Sequence, residues 1–399
     1  MKKELLLITH WFFPERVGGA SRLTDLAKGL SKWYNVTVLC PPPSFPYGFF
    51  KIDNRFISKE KIGNINVVRL WTYQPQKNPS NAQRVLNYII FPFLALFWCI
   101  VNGRKYNVIF TTTPTTFVGL CGFVVKLFYK KIWILDVRDP WLENAVRLNY
   151  IKKGTLTFKI ANFIENLNWT KPDMITFLSE TLKEKIMSKY NKEINAMVFP
   201  HLIDVNFFKP RKVKRKNEIV YTGNIGTGQS LEEFIEAVKY VTKRYDVKLK
   251  LVGEGENLSE LETLAKKLGI SRSIEFFGPV SREKIPKIIS ESLISIIPLK
   301  QNIGLDYAIP IKLLETMSCE TPFISTKMKE MEKIAEASKA GIAVNNNPKE
   351  IANAIIKLMK DSNLRRKMGK NGRKYIIDNF TLEKNVKRLY ERINKINCV

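Results

Sequence analysis

Along all 399 residues, apolar runs of strand length alternate with longer stretches of helical periodicity, and few folds accept that order. Strands joined by helices lie parallel in one sheet, because each helical crossover carries the chain back to the same end. Runs at 5–9, 35–40, 66–70, 108–112, 132–137, 174–178 and 196–199 predict a first sheet. Those at 218–221, 248–252, 273–277, 293–298, 322–325 and 341–344 predict a second. The fold class expected is α/β, with two doubly wound Rossmann-like domains. With 45% apolar residues the chain can fill two cores, which excludes disordered, collagen-like and disulfide-scaffold classes.

Residues 1–204 and 205–380 are the expected domains, and 381–399 is expected as a helix packing back on the first. The charge run at 208–216, with Pro210 inside it, is the best candidate linker. Cys40, Cys99, Cys121, Cys319 and Cys398 lie far apart without a CxxC pair, so they read as buried thiols of a reducing compartment. The N-terminus runs straight into the short apolar segment 5–8, too brief for a signal sequence, and a cytoplasmic protein is expected. The net charge is +28, and it is spread evenly: 28 basic and 14 acidic groups in 1–204, 37 and 23 in 205–399. Such an excess points to phosphate, in nucleic acid, an anionic membrane or a nucleotide. Residues 85–101 are mostly apolar but include Asn87 and Pro92, and fall short of the roughly 20 residues a span needs. The strand at 108–112 must also pair with strands encoded earlier. A buried covering helix is therefore expected, with one that dips a face into a membrane interface as the alternative.

Four segments carry candidate chemistry. The first follows the first strand, where doubly wound sheets bind ligands: His10 leads through Pro14, Glu15 and Arg16 to Gly18 and Gly19 at a helix start. Paired glycines let backbone N–H groups approach an anion there, or serve the turn geometry alone. Arg138 and Asp139 end another strand, as a catalytic pair or as a local ion pair with a capping role. Gly223, Asn224, Gly226 and Gln229 lie between a strand and a helix in a phosphate-cradling pattern that lacks the Walker lysine, and Gly253 opens a second glycine turn. Finally, Pro310 suits a first helical position, which sets Lys312 and Glu315 three apart near a helix start. A lysine with free N–H groups suits a diphosphate, and a carboxylate one turn on suits a ribose diol; an ordinary helical ion pair is the plain alternative.

Taken in order, these motifs resemble the retaining glycosyltransferases of family 4, which have the two-domain GT-B fold. The resemblance rests on Pro14, Glu15, Gly18 and Gly19; on Pro172 and Asp173 before Ser179 and Glu180; and on Asp204 with Phe208 and Pro210. It continues through Tyr221 to Asn224, Leu251 to Gly255, Pro310 with Lys312 and Glu315, and Met368 to Arg373. The chain looks most like the bacterial branch that adds N-acetylated sugars such as N-acetylfucosamine in O-antigen or capsule assembly. Departures are visible. Asn224 and Gln229 stand where most of the family has Arg and Lys, so Lys312 is expected to take over the diphosphate. Tyr307 holds the place of the first glutamate of the paired-glutamate motif, with Asp306 adjacent and out of register.

The resemblance implies an acceptor-side first domain facing a donor-binding second domain across a cleft. It implies transfer of a sugar from a UDP-linked donor to a lipid-linked saccharide acceptor, with retention and no enzyme nucleophile, metal or cofactor. Expected catalytic residues are Asp139, Arg138 and Lys312; expected donor-binding residues are Glu315, Gly18, Gly19, Gly223, Asn224, Gly226, Gln229, Gly253 and Asp306. A nucleotide-sugar epimerase on the same fold is the alternative enzyme. A nucleic-acid-binding protein is prompted by the charge alone, and no RNP, zinc-finger or helix-turn-helix pattern supports it. The even charge and the 85–101 helix lead to a further expectation, peripheral attachment to the anionic inner face of the cell membrane.

Overall fold

The computed structural model describes residues 2–15, 18–147, 149–190, 194–301 and 304–396. The chain divides into two compact units, Met1–Pro200 with Leu382–Val399, and His201–Thr381.

The first unit runs β1 (Lys3–Ile8), α1 (Gly18–Leu30), β2 (Tyr34–Cys40), β3 (Ile57–Ile62), β4 (Ile65–Leu70), α2 (Asn81–Asn102), β5 (Val108–Thr112), α3 (Gly119–Tyr129) and β6 (Ile132–Val137). It continues with α4 (Trp141–Arg147), α5 (Leu156–Thr170), β7 (Met174–Phe177), α6 (Glu180–Met187) and β8 (Ala196–Val198). Its sheet has the order β3-β4-β2-β1-β5-β6-β7-β8. Leu5, Leu6, Leu7 and Ile8 are all fully buried, as a parallel strand covered on both faces requires. Only β3 is antiparallel, hairpinned to β4 around Gly63, and it was not among the expected strands. It is a six-residue edge strand carrying Lys59, Glu60 and Lys61, so no apolar run marks it; charge on an edge also discourages pairing with other chains.

The second unit runs β9 (Lys216–Thr222), α7 (Leu231–Val241), β10 (Lys248–Val252), α8 (Leu258–Lys267), β11 (Ile274–Gly278), α9 (Ile285–Glu291) and β12 (Ser292–Ile297). It ends with α10 (Ile311–Ser318), β13 (Phe323–Thr326), α11 (Lys329–Ser338), β14 (Gly341–Val344), α12 (Pro348–Lys360) and α13 (Ser362–Asn379). The six strands, in the order β11-β10-β9-β12-β13-β14, are all parallel. In both sheets the order reverses beside the first strand, at β1/β5 and at β9/β12, and the carboxyl ends there open a crevice.

The chain passes between units at Pro200 and His201. The charge run expected as a linker lies inside the second unit: Phe208 is buried, the Arg211 N–H donates to Ser290 Oγ at 3.1 Å, and Arg215 donates to the carbonyls of Ser292 at 2.6 Å and Glu320 at 2.8 Å. An arginine head bound to backbone carbonyls looks, in sequence, like part of a solvated run. The last helix, α14 (Leu382–Ile396), belongs to the first unit. Its Val386 packs 3.0 Å from where a Gly29 side chain would begin, Tyr390 stacks on Trp33 at 4.7 Å, and Arg392 donates to Asn195 at 2.7 Å. Cys40, Cys99, Cys121 and Cys319 are buried and free, while Cys398 lies outside the described residues.

α2 starts earlier than the apolar run suggests, because Ser80 and Gln83 form a reciprocal capping box. Its inward face buries Asn87, Phe91, Ala95 and Cys99. The outward face is uncovered, which corrects the expectation of a buried helix.

Candidate functional site

In the second unit, β9 delivers Tyr221 and Thr222 and the chain then turns at Gly223, whose φ of +137° favours glycine. A side chain at Gly223 would begin 3.0 Å from Lys312 Nζ. Gly253, at the end of the neighbouring β10, has φ +146°, and a Cβ there would stand 1.9 Å from the Gly223 carbonyl oxygen. The two glycine turns therefore interlock: the Gly223 N–H donates to Val252 O at 2.9 Å and the Ile225 N–H to Glu254 O at 2.8 Å. Gly226 is buried, and the Gln229 N–H donates back to its carbonyl at 3.0 Å.

Lys312 crosses from α10 to this turn. Its Nζ donates to Tyr221 Oη and Gln229 Oε1, each at 2.7 Å, and sits 4.2 Å from the centre of the Tyr221 ring. Tyr221 Oη in turn donates to the Asn224 carbonyl. Gln229 Oε1 thus accepts from both Lys312 and Tyr221, the latter at 3.1 Å. Lys312 is half-buried, protein atoms crowd its amine, and that desolvation pulls its pKa down to about 7 against the pull of Glu315. Glu315, equally crowded, is pushed up to about 7 by desolvation, with Arg282 and Lys312 opposing. Among the described residues its carboxylate makes no hydrogen bond, so its acceptor capacity is open to a ligand hydroxyl. Pro310 is the N-cap residue of α10, one position before the expected first helical one, and no side chain caps that helix. Asp306 is exposed, and it is its backbone carbonyl that accepts, from the Glu330 N–H at 3.1 Å; Tyr307 beside it is buried.

At the β1/β5 crevice of the first unit, Arg138 is held by Thr113, with its Nε donating to the carbonyl at 2.5 Å and its backbone N–H to Oγ1 at 3.0 Å. The guanidinium lies against Gly19, where a Cβ would stand 2.0 Å from Nη1, so the paired-glycine turn makes room for it. Gly18 opens α1, and Arg16 lies outside the described residues. No ion pair joins Arg138 to Asp139 among the described residues; Asp139 is held above the usual carboxylate range by burial, with Arg138 opposing. Asp136 instead takes the ion pair, bidentate with Arg22 at 2.6 and 3.0 Å and fully buried.

Three further residues, two in this unit and one in the second, lie outside the expected catalytic and donor-binding set. Glu15 accepts N–H groups from Phe12, Ser44 and Phe45, tying two loops together, and desolvation pushes its pKa up to about 7 against those bonds. His10 is buried, stacked on Tyr88 at 4.8 Å, and desolvation lowers its pKa to about 4. Asn87 Nδ2 donates to Tyr73 O at 2.7 Å, so its Oδ1 faces His10 Nε2 at 2.6 Å and fixes the proton there. His10 Nδ1 is left as a buried lone pair without a partner among the described residues. Tyr221 is the third, an aromatic on a strand that reads as core until its hydroxyl is seen between Lys312 and Asn224.

Two Rossmann-like sheets of eight and six strands define the GT-B class. Residues 203–375 match the family described as glycosyl transferases group 1. An uncharacterized glycosyltransferase of Methanocaldococcus jannaschii is 25% identical over 98% of this chain and 100% of its own length. The D-inositol 3-phosphate glycosyltransferase of Corynebacterium jeikeium is 30% identical over 74% of each chain. Among solved structures, HepE of Anabaena in complex with UDP superimposes with a TM-score of 0.72 at 13% identity, covering 98% of this chain and 100% of that one. The chain belongs to the glycosyl transferases of group 1, the retaining family 4 enzymes.

Proposed function

We propose that this glycosyltransferase takes an N-acetylated sugar from a UDP-linked donor and passes it, with retention, to a lipid-linked saccharide in cell-surface polysaccharide assembly on the cytoplasmic side of a membrane. The observation that carries the donor half is Lys312, held by Tyr221 and Gln229 against the Gly223 turn, with Glu315 one helical turn on and its carboxylate making no hydrogen bond among the described residues. The solved HepE complex with UDP supports a uridine diphosphate on this fold. The N-acetylated sugar and the lipid-linked acceptor follow from the motif resemblance to the O-antigen and capsule branch.

In this reading the uncapped start of α10 and Lys312 meet the diphosphate, and Glu315 accepts the ribose hydroxyls. Charge grows on the leaving diphosphate as the glycosidic bond breaks, so a preplaced cation stabilises the transition state more than the ground state. Arg138 and Asp139 orient the acceptor, and the leaving phosphate oxygen takes the acceptor proton. Nucleotide release from a panel of UDP-, GDP- and dTDP-sugars, with and without polyprenyl-linked acceptor, tests it. Acceptor-dependent release of UDP alone is expected; acceptor-independent rearrangement of the donor defeats the transferase reading, and preference for GDP defeats the UDP assignment.

A further inference from the structure

α2 presents two apolar faces, and among the described residues only one has protein against it. Val85, Ile89, Phe93, Phe97 and Val101, four apart, form an outward stripe between 37% and 79% exposed. α3 packs beside α2 and ends in exposed Leu127 and Phe128; α5 packs beside α3 and adds exposed Leu156, Ile160 and Phe163. Single exposed apolar residues are ordinary, but ten of them on three helices packed side by side call for an occupant.

Charge identifies that occupant. From residue 61 to residue 135 the chain has nine Lys and Arg and no Asp or Glu. Arg84 and the Arg104–Lys105 pair stand at the two ends of α2, exposed, and no charge lies between them. Lys105 lies 5.4 Å from the Trp98 ring, an aromatic and cation combination suited to a headgroup layer. Lys130 follows α3, and exposed Lys152, Lys153 and Lys159 flank the stripe of α5. Two copies of this face brought together would oppose like charges, which disfavours self-association. A crossing of the bilayer by α2 is excluded by topology: β4 before it and β5 after it lie in one sheet. Its inward side also holds Asn87 to His10 and to the Tyr73 carbonyl.

We propose that the α2–α3–α5 face is a monotopic docking surface, seated in the plane of an anionic lipid leaflet with its phenylalanines at the acyl boundary and its basic rim at the phosphates. This deepens the membrane-side reading given above, and it assigns that attachment to particular residues. Flotation of the full-length protein with phosphatidylglycerol-containing and pure phosphatidylcholine vesicles tests it, using the parent and Phe93→Gln/Phe97→Gln, with UDP affinity measured on each. The parent is expected to float with anionic vesicles only, less so in high salt. Each exposed phenylalanine contributes enough that the paired change lowers vesicle partitioning at least about tenfold, with UDP affinity unchanged. Vesicle binding by neither lipid, equal binding to both, undiminished binding by the phenylalanine variant, or a parent dimer that this variant dissociates would each overturn the proposal. A parent that floats as expected yet binds no UDP defeats the donor reading and leaves this one standing.

Discussion

Each unit sets a cation against a glycine at the carboxyl edge of its sheet, and the two cations differ in kind. Arg138 lies over Gly19 and Lys312 over Gly223. An arginine stays charged at any pH a cell meets, whereas a crowded lysine does not. With its pKa drawn to about 7, Lys312 changes charge near neutrality, and the first unit has no counterpart in its own cation. The first unit therefore offers a fixed charge, and the second one that a ligand can switch on.

The glycines give the largest test of this comparison. Gly253→Ala forces a Cβ against the backbone carbonyl of Gly223 at positive φ, and is expected to cost about 3 kcal/mol of stability along with nucleotide binding. Gly19→Ala meets only the end of a flexible arginine, so its melting transition should stay near the parent's while turnover falls. Equal destabilisation by the two, in urea melts, would erase the contrast.

Glu315→Ala should come next, weakening UDP binding by roughly 1.5 to 3 kcal/mol in calorimetry. An unchanged affinity in a folded variant would remove Glu315 from the ribose.

The pH profile sharpens the comparison directly. Above about pH 7 free Lys312 is neutral and must gain a proton to meet a diphosphate, so UDP affinity falls as pH rises, by up to about tenfold per unit. Below about pH 7 Glu315 is protonated and must lose that proton to accept two hydroxyls, so affinity falls in the other direction. The maximum lies near pH 7, and on the alkaline side binding takes up a proton, visible as a buffer-dependent calorimetric enthalpy. Lys312→Arg should flatten the alkaline limb; a limb that persists would place the titrating group elsewhere.

The smallest effect is expected at Asp139. Asp139→Asn keeps the shape and should retain most activity if the residue orients the acceptor, and Asp139→Ala should lose more. Near-full activity in Asp139→Ala would assign the residue to structure.

The expected parallel strands were legible because buried strands write continuous apolar runs, and the glycine turns because positive φ restricts the residue type. β3 left no such mark. Lys312 and Glu315 were legible through helix spacing, but the bond from Lys312 to Tyr221 was not, since a strand tyrosine reads as core. His10 shows the same limit: its role depends on Asn87, 77 residues away, and on which ring nitrogen that amide fixes. Long-range pairings of this sort, Arg22 with Asp136 among them, are properties of the folded sheet and carry no local pattern.

The placement of α14 sets an order on synthesis. Trp33, Tyr34 and Gly29 leave the ribosome early, but the helix that covers them is translated only after the whole of the second unit. The second unit is contiguous in sequence and is complete at Thr381, whereas the unit that begins first is finished last. A nascent chain halted just before Leu382 therefore holds a finished second unit and an open seam on the first.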